Sequence, residues 1–198
     1  MSATLKTVAH ITSEEYLAME EKSQTRHEYL GGVIYDWQGI APSGMAGGGK
    51  AHNTITQNIA FALRRHLRGT NCGTFMGDVR VHVTSRNGYF YPDVLVSCSA
   101  RDQRDPLTVF EPTLIIDVLS DSAEAFDRSV KQDCYKELSS LKEYVLVSSK
   151  ERKVEIHLRT PAGSWDEVPV EGHAICRLES VGIGLTLDQI YDEITFAQ

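Results

Sequence analysis

The sequence predicts a mixed α/β fold, an α+β arrangement in which a central mixed β-sheet is flanked by helices. Three observations carry that expectation. In residues 51–68, Ile55, Ile59, Leu63 and Leu67 recur every four positions, the apolar stripe of an amphipathic helix. Phe126, Val130, Cys134 and Leu138 repeat the pattern over residues 123–139. Residues 113–119 (TLIIDVL) are almost wholly apolar, as in a strand covered on both faces. Helix, strand cluster, helix and strand pair then follow in an order that suits one mixed layer structure.

The remaining elements fall around this frame. Thr12, with Glu15 three residues later, forms a capping-box signature that opens a short helix to about residue 21. Residues 27–37 carry Gly31-Gly32 between apolar and aromatic neighbours and read as an N-terminal hairpin. Residues 38–50 (QGIAPSGMAGGGK) form a glycine-rich loop, read as a mobile flap beside a cleft. The first long helix ends at Gly69. Residues 78–83 and 89–98 read as strands, as do 143–148 and 153–158 around a Ser-Ser-Lys-Glu-Arg turn. The tail, 165–198, gives short strands and a last helix from Leu187, capped by Thr186 with Gln189 three on. The expected organisation is one domain over residues 1–198, with a core of about 10–160 and a β-rich C-terminal extension of about 161–198.

Composition narrows the function. The chain has 198 residues, 20 Lys+Arg against 27 Asp+Glu and a net charge of −7. That balance weighs against a protein that coats duplex DNA through a dominant basic surface and leaves room for a local basic cleft. An apolar content of 41% with 24% charged residues is that of a globular chain rather than a disordered one. No apolar run approaches the roughly 18–20 residues of a membrane span. Residues 1–12 lack the apolar core of a secretion signal, so a cytoplasmic location is expected. Cys72, Cys98, Cys134 and Cys176 form no CxxC pair and have no His at ligand spacing, which argues against zinc. In that compartment they read as four reduced, mostly buried thiols.

Two carboxylates carry the chemistry. Asp117 sits inside a run whose every neighbour belongs in a core, so it needs a cation, a metal ion or a proton. Asp93 follows Pro92 at the start of Val94-Leu95-Val96, and Pro is tolerated at a strand's first residue, which puts Asp93 at a strand mouth. Acidic residues on neighbouring strands can hold a hard divalent ion such as Mg²⁺ or Mn²⁺, which takes a few carboxylates plus waters. Lys131 lies one position off the second helical stripe, where it can reach along the sheet towards Asp117. A lysine so placed orients a water or opposes developing charge.

Pro92-Asp93, Asp117-Val118-Leu119-Ser120, a helix with Lys131 and Tyr135, and Glu143-Tyr144-Val145-Leu146-Val147 together resemble the Uma2 (formerly DUF820) group of endonucleases. That group belongs to the PD-(D/E)XK restriction-endonuclease-like superfamily. His27-Glu28-Tyr29-Leu30-Gly31-Gly32 and His52-Asn53 extend the resemblance over about residues 10 to 160. It implies a restriction-endonuclease-like core and metal-dependent hydrolysis of DNA. Asp93 and Asp117 would be the metal ligands, Lys131 the catalytic lysine and Glu28 an additional acidic residue. The chain departs from the superfamily pattern twice: Asp117 stands where Glu is usual, and Leu119 stands where the E-x-K lysine is expected. Lys131 would then substitute from the helix.

Other features read more plainly. Gly44 to Ala51 nearly matches the phosphate-loop pattern, but Ala51 replaces the hydroxyl residue that would reach Mg²⁺, so no nucleotide or other organic cofactor is expected. On their own, Glu28 and His52 read as a hairpin residue and a helix cap, and Tyr135 as core packing. Lys50, Arg64, Arg65 and Arg68 add local positive charge. Two functions are carried forward: a Mg²⁺-dependent endonuclease acting on DNA, and a weak or inactive nucleic-acid or protein-binding module that keeps the fold. A homodimer is compatible with duplex cutting, and no membrane partner is expected.

Overall fold

The computed structural model describes residues 10–36, 49–120 and 124–196. Most of the glycine-rich loop expected to act as a flap lies outside them. Helix α1 (Ser13–Glu20) opens with the expected capping box, in which the Thr12 hydroxyl accepts from the Glu15 N–H and the Glu15 carboxylate accepts from the Thr12 N–H. It packs on the hairpin β1 (His27–Leu30) and β2 (Val33–Asp36). Tyr16 and Tyr29 stack with centroids 4.8 Å apart, and their hydroxyls donate to the carbonyls of His27 and Ile11. The turn needs glycine: Gly32 has φ +100°, and a Cβ there would meet the His10 ring at 2.1 Å.

Helix α2 (Gly49–His66) buries Ile55, Ile59 and Leu63, and Gly69 with φ +82° follows its end. Then come β3 (Gly73–Met76), β4 (Arg80–Val83), β5 (Gly88–Phe90), β6 (Val94–Ser97), β7 (Thr108–Val109) and β8 (Leu114–Leu119). Residues 89–98 therefore form two strands rather than the single one expected. Pro92 cannot donate to a ladder, and the chain leaves one sheet and joins another across Tyr91-Pro92-Asp93. β5 lies in a five-stranded sheet of order β2-β1-β5-β4-β7, whereas β6 lies in a six-stranded sheet that is completed by three later strands.

The second amphipathic segment is not a uniform α-helix. It runs as α3 (Glu124–Phe126), a π turn (Asp127–Lys131) and α4 (Gln132–Lys136). π turns inside helices often accompany functional positions. This segment is the crossover between β8 and β9 (Glu143–Ser148), which pair in parallel. Arg128 fastens it to β10 (Val154–Arg159) through a two-pronged contact with Glu155 at 2.5 and 3.0 Å. With Lys153 also nearby, the Glu155 carboxyl falls to about 2, chiefly through the Arg128 hydrogen bonds. β11 (Trp165–Val170) completes the six-stranded order β11-β10-β9-β8-β6-β3. The chain then forms the β12 (Ile175–Leu178) and β13 (Ile183–Thr186) pair and α5 (Leu187–Ile190), which has the expected Thr186–Gln189 capping box.

The six-stranded sheet is apolar on both sides, and side chains alternate between two cores. Leu114, Ile116, Val118, Val145 and Val147 face α2 and the C-terminal elements. Ile115, Leu119, Tyr144 and Leu146 face Tyr135, Leu138 and the five-stranded sheet. The alternation puts Asp117 on this second side, under the crossover helix. Among the described residues no helix is long and apolar enough to cross a membrane.

The four cysteines are not all thiols. Cys72 and Cys98 form a disulfide, while Cys134 and Cys176 are free and buried. The pairing follows from the strand register, since Gly73 opposes Ser97 and so brings the flanking cysteines together, a relation that sequence spacing hides. A bridge across this separation of 26 residues contributes about 3 kcal/mol by restricting the unfolded chain. Dithiothreitol should therefore lower the melting temperature of the wild type, and leave unchanged that of a Cys72→Ser, Cys98→Ser variant that already melts lower. Equal melting of reduced and oxidised protein would exclude a stabilising bridge.

Candidate active site

The site grows from the end of the six-stranded sheet. In the β6–β8 ladder Val94 opposes Ile116, so Asp93, one residue before β6, lies beside Asp117 of β8. The two are cross-linked through the backbone. The Asp93 N–H donates to Asp117 Oδ1 at 3.3 Å, and the Val118 N–H donates to Asp93 Oδ2 at 2.7 Å. The mouth of the site is formed by Asp93 and His52, whose Nε2 is 3.2 Å from Asp93 Oδ1; their side chains are 14% and 19% exposed. His52 comes from the first turns of α2, so that helix points its N-terminal end at the carboxylates.

Behind this mouth the groups are sealed. Lys131 Nζ lies 3.3 Å from Asp117 Oδ2, 3.4 Å from Glu28 Oε1 and 3.0 Å from Asp127 Oδ1. All four side chains are buried. Tyr144 on β9 donates its hydroxyl to Asp117 Oδ2 at 2.8 Å and to the Asp127 carbonyl at 3.2 Å. The Tyr91 N–H donates to Glu28 Oε1 at 3.4 Å. Each of Glu28, Asp93, Asp117 and Lys131, the residues singled out from sequence, thus falls in one cluster, reached from β1, the β5–β6 link, β8 and the π turn.

Two members were not singled out. Asp127 stands four residues before Lys131 on the same helix, and that i,i+4 relation was the available signal. Tyr144 gave none, because a Tyr inside an apolar strand reads as packing. His52, which reads from sequence as a cap, instead contacts Asp93.

The electrostatics follow from crowding carboxylates around one lysine. Burial raises the Glu28 and Asp127 carboxyls to about 7 each, although Lys131 pulls both down. Burial also raises Asp117, with Lys131 lowering it and Asp93 pushing it further up. Burial alone would depress Lys131, but Asp117, Asp127 and Glu28 outweigh it and hold the ammonium form well above its usual range. His52 is likewise held up, since Asp93 more than offsets the effect of burial. Burial, then the Asp117 and Asp127 charges, keep the Tyr144 hydroxyl protonated and donating.

The donors are oxygens of the type that a hard divalent ion takes. Four carboxylates meet one ammonium and one imidazole, all acceptors are oxygens, and Asp93 opens to solvent where waters could complete a shell. Among the described residues no group of three or more His, Cys, Asp or Glu is arranged to hold a metal ion.

The family model for Uma2, described as “Putative restriction endonuclease”, matches residues 13–189. The chain belongs to the Uma2 family. Two uncharacterized Synechocystis sp. proteins are similar to it. The first, slr1290, is 31% identical over 186 residues, covering 94% of both chains. The second, sll1609, is 30% identical over 157 residues, covering 78% of this chain and 84% of that protein. The fold matches the crystal structure of “a putative nuclease belonging to DUF820” from Anabaena variabilis with a TM-score of 0.71, at 17% identity, over 91% of this chain and 97% of the other. The mixed α/β architecture expected from sequence is thus the fold shared with that DUF820 structure. In this Uma2 chain Leu119 is 4% exposed within the core, so a lysine at that strand position would sit among apolar side chains. The ammonium beside Asp117 comes from Lys131 on the π turn.

Proposed function

We propose that this chain is a divalent-metal-dependent endonuclease that hydrolyses phosphodiester bonds in DNA. The observation that carries the reading is the Lys131 ammonium, buried between Asp117 and Glu28 beside the Asp93–Asp117 pair at a sheet end. Asp93 and Asp117 would hold Mg²⁺ or Mn²⁺. Such an ion, when bound, polarises the phosphodiester and makes a hydroxide nucleophile available near neutral pH. The chain's own groups do the rest. Lys131, whose three N–H groups face Asp117, Glu28 and Asp127, opposes through space the negative charge that grows on the phosphoryl group. Glu28 and Asp127 hold that ammonium in place, and Tyr144 fixes the orientation of Asp117. His52 at the mouth is the group positioned to meet a substrate oxygen from the solvent side.

The second reading, a binding module that keeps the fold, draws on the same geometry. Lys131 already neutralises part of the charge on Asp117, and the strand position of the superfamily lysine is apolar. Incubation of plasmid and single-stranded DNA with Mg²⁺ or Mn²⁺ separates the two. The nuclease reading expects metal-dependent cleavage that falls by about 10³-fold in Asp117→Asn, the scale of several kcal/mol of lost charge stabilisation. Wild type that cuts nothing with either metal, while melting as a folded protein, favours the binding module.

A further inference from the structure

The molecule is acidic, yet its longest helix is not. α2, the 18-residue segment GKAHNTITQNIAFALRRH, contains neither Asp nor Glu, in a chain with 27 acidic residues against 20 basic ones. Opposite its buried Ile55, Ile59 and Leu63, it presents Lys50, Asn53, Gln57, Phe61 and Arg64, with Arg68 just beyond its end. Steps of three and four residues keep all six on one face, and all six are exposed. Phe61 is 69% exposed, an aromatic ring set between amides and guanidiniums. Arg26, Arg86, Arg128 and Arg152 each pair with a carboxylate. Among the described residues Arg64, Arg65 and Arg68 form no ion pair.

The face borders a groove. A concavity of about 800 Å³ between the C-terminal half of α2 and β3 is lined by Phe61, Arg64, Arg68, Thr74 and Phe75. A smaller one of about 400 Å³, which shares Phe61, Arg64 and Thr74, reaches Gln57 and Met76. Met76 opposes Val94, the neighbour of Asp93, so the groove runs towards the carboxylate cluster. β3 is an edge strand of its sheet and leaves the outer side of the groove open. α2 therefore joins both ends: His52 contacts Asp93 at one, and the arginines lie twelve and more residues further on. Twelve residues of helix span about 18 Å, or about five nucleotide steps at about 3.4 Å each.

We propose that the α2–β3 groove binds the DNA strand that leads away from the scissile phosphate, with Arg64 and Arg68 on backbone phosphates and Phe61 stacked on an unpaired base. The proposal rests on the nuclease reading for the position of the scissile phosphate. A cationic groove interleaved with an exposed aromatic ring is the design of single-strand binding, in which charge tracks the backbone and the ring accepts any base. It also reconciles an acidic protein with a polyanionic substrate: the basic surface is one helix long and ends at the cluster.

Fluorescence anisotropy with a labelled 12-nucleotide single strand, and with its duplex, tests the assignment in metal-free buffer. Arg64→Ala combined with Arg68→Ala should weaken single-strand binding at least tenfold. It should also flatten the slope of log K against log salt by roughly 1.4, about 0.7 for each lost phosphate contact. Phe61→Ala should weaken binding about tenfold with the slope unchanged. Arg177→Ala, which removes an equal charge from an exposed position on β12, should do neither. Melting temperatures establish that each variant is folded. Arginine and Phe61 variants that bind no worse than Arg177→Ala overturn the proposal, as does a duplex bound more tightly than the strand with Phe61→Ala silent. The two readings fail separately. Metal-dependent cleavage that persists with Arg64, Arg68 and Phe61 silent overturns the groove alone. Strand binding through those residues by a wild type that never cleaves overturns the nuclease reading alone.

Discussion

Lys131→Met should abolish cleavage, by at least about 10³-fold, and at pH 8 should lower stability by about 3 kcal/mol. The substitution keeps the length and apolar stem of the side chain, so packing under the crossover helix changes little. What it removes is the ammonium within 3.4 Å of Glu28, Asp117 and Asp127, all buried. Breaking a buried pair from one side is the expensive case, because the partner charges stay behind without solvent. Here there are three of them, facing one another. They limit the cost by taking up protons, since burial already holds Glu28 and Asp127 near 7. The penalty is therefore large at pH 8 and small near pH 5, where those carboxyls are neutral with or without the lysine. Lys131→Arg keeps the charge but spreads it over a planar fork too large for the same space, so it should recover part of the stability and little of the cleavage. Thermal melting of the three proteins at pH 5 and 8, with cleavage measured alongside, checks both effects. A Lys131→Met protein that melts with the wild type at pH 8 would show that the ammonium does not hold the carboxylates together.

The parts of this site that sequence exposes are those whose placement is improbable without a partner. Asp117 is legible because a carboxylate among Leu114, Ile115, Ile116, Val118 and Leu119 has no ordinary explanation, and its partner turns out to be Lys131. Lys131 is legible from its phase on the helix, one step off the apolar stripe. Asp127 is hidden by the commonness of the pattern that contains it, because acid–lysine pairs four apart usually decorate a solvated helix face. Only the sheet beneath makes this pair a buried one. Tyr144 is hidden differently: as a ring it belongs to the core, and its hydroxyl acquires a role only when the parallel register sets Ile115 beside it and Asp117 two residues on. The fold shows the same division. Caps, the glycine hairpin and the two helices follow from local chemistry. The break at Pro92, strand β3 and the Cys72–Cys98 bridge follow from pairing between distant segments, which the chain does not state locally. β3, with the sequence GTFM, shows neither alternation nor a continuous apolar run and is a strand because β6 offers it an edge.

The wild type should lose thermal stability as the pH rises from 5 to 8, and Glu28→Gln should abolish much of that loss. In the unfolded chain Glu28 titrates near 4.5; in the folded one, burial raises it to about 7 despite Lys131. The folded state therefore binds the extra proton between those values, and stability falls with pH through that window. A shift of this size corresponds to roughly 3 kcal/mol once both states are ionised. Asp127, raised to about 7 for the same reason, adds a slope of the same sign, so Asp127→Asn should also flatten the profile. Glutamine keeps the shape of Glu28 and can still accept from the Tyr91 N–H while carrying no charge to desolvate. Glu28→Gln should accordingly melt above the wild type at pH 8 and close to it at pH 5. On the proposed function a divalent ion would act in the opposite sense, binding the ionised cluster and stabilising the folded protein by RT ln(1 + [L]/Kd). Mg²⁺ or Mn²⁺ should thus raise the melting temperature of the wild type more at pH 8 than at pH 5, and should leave an Asp93→Asn, Asp117→Asn variant unmoved. A wild-type melting temperature that is flat across this range, or that rises with pH, contradicts the raised carboxyls. A cation effect that survives removal of Asp93 and Asp117 contradicts their assignment as ligands. The two outcomes separate the charge state of Glu28 and Asp127 from the proposed metal binding by Asp93 and Asp117.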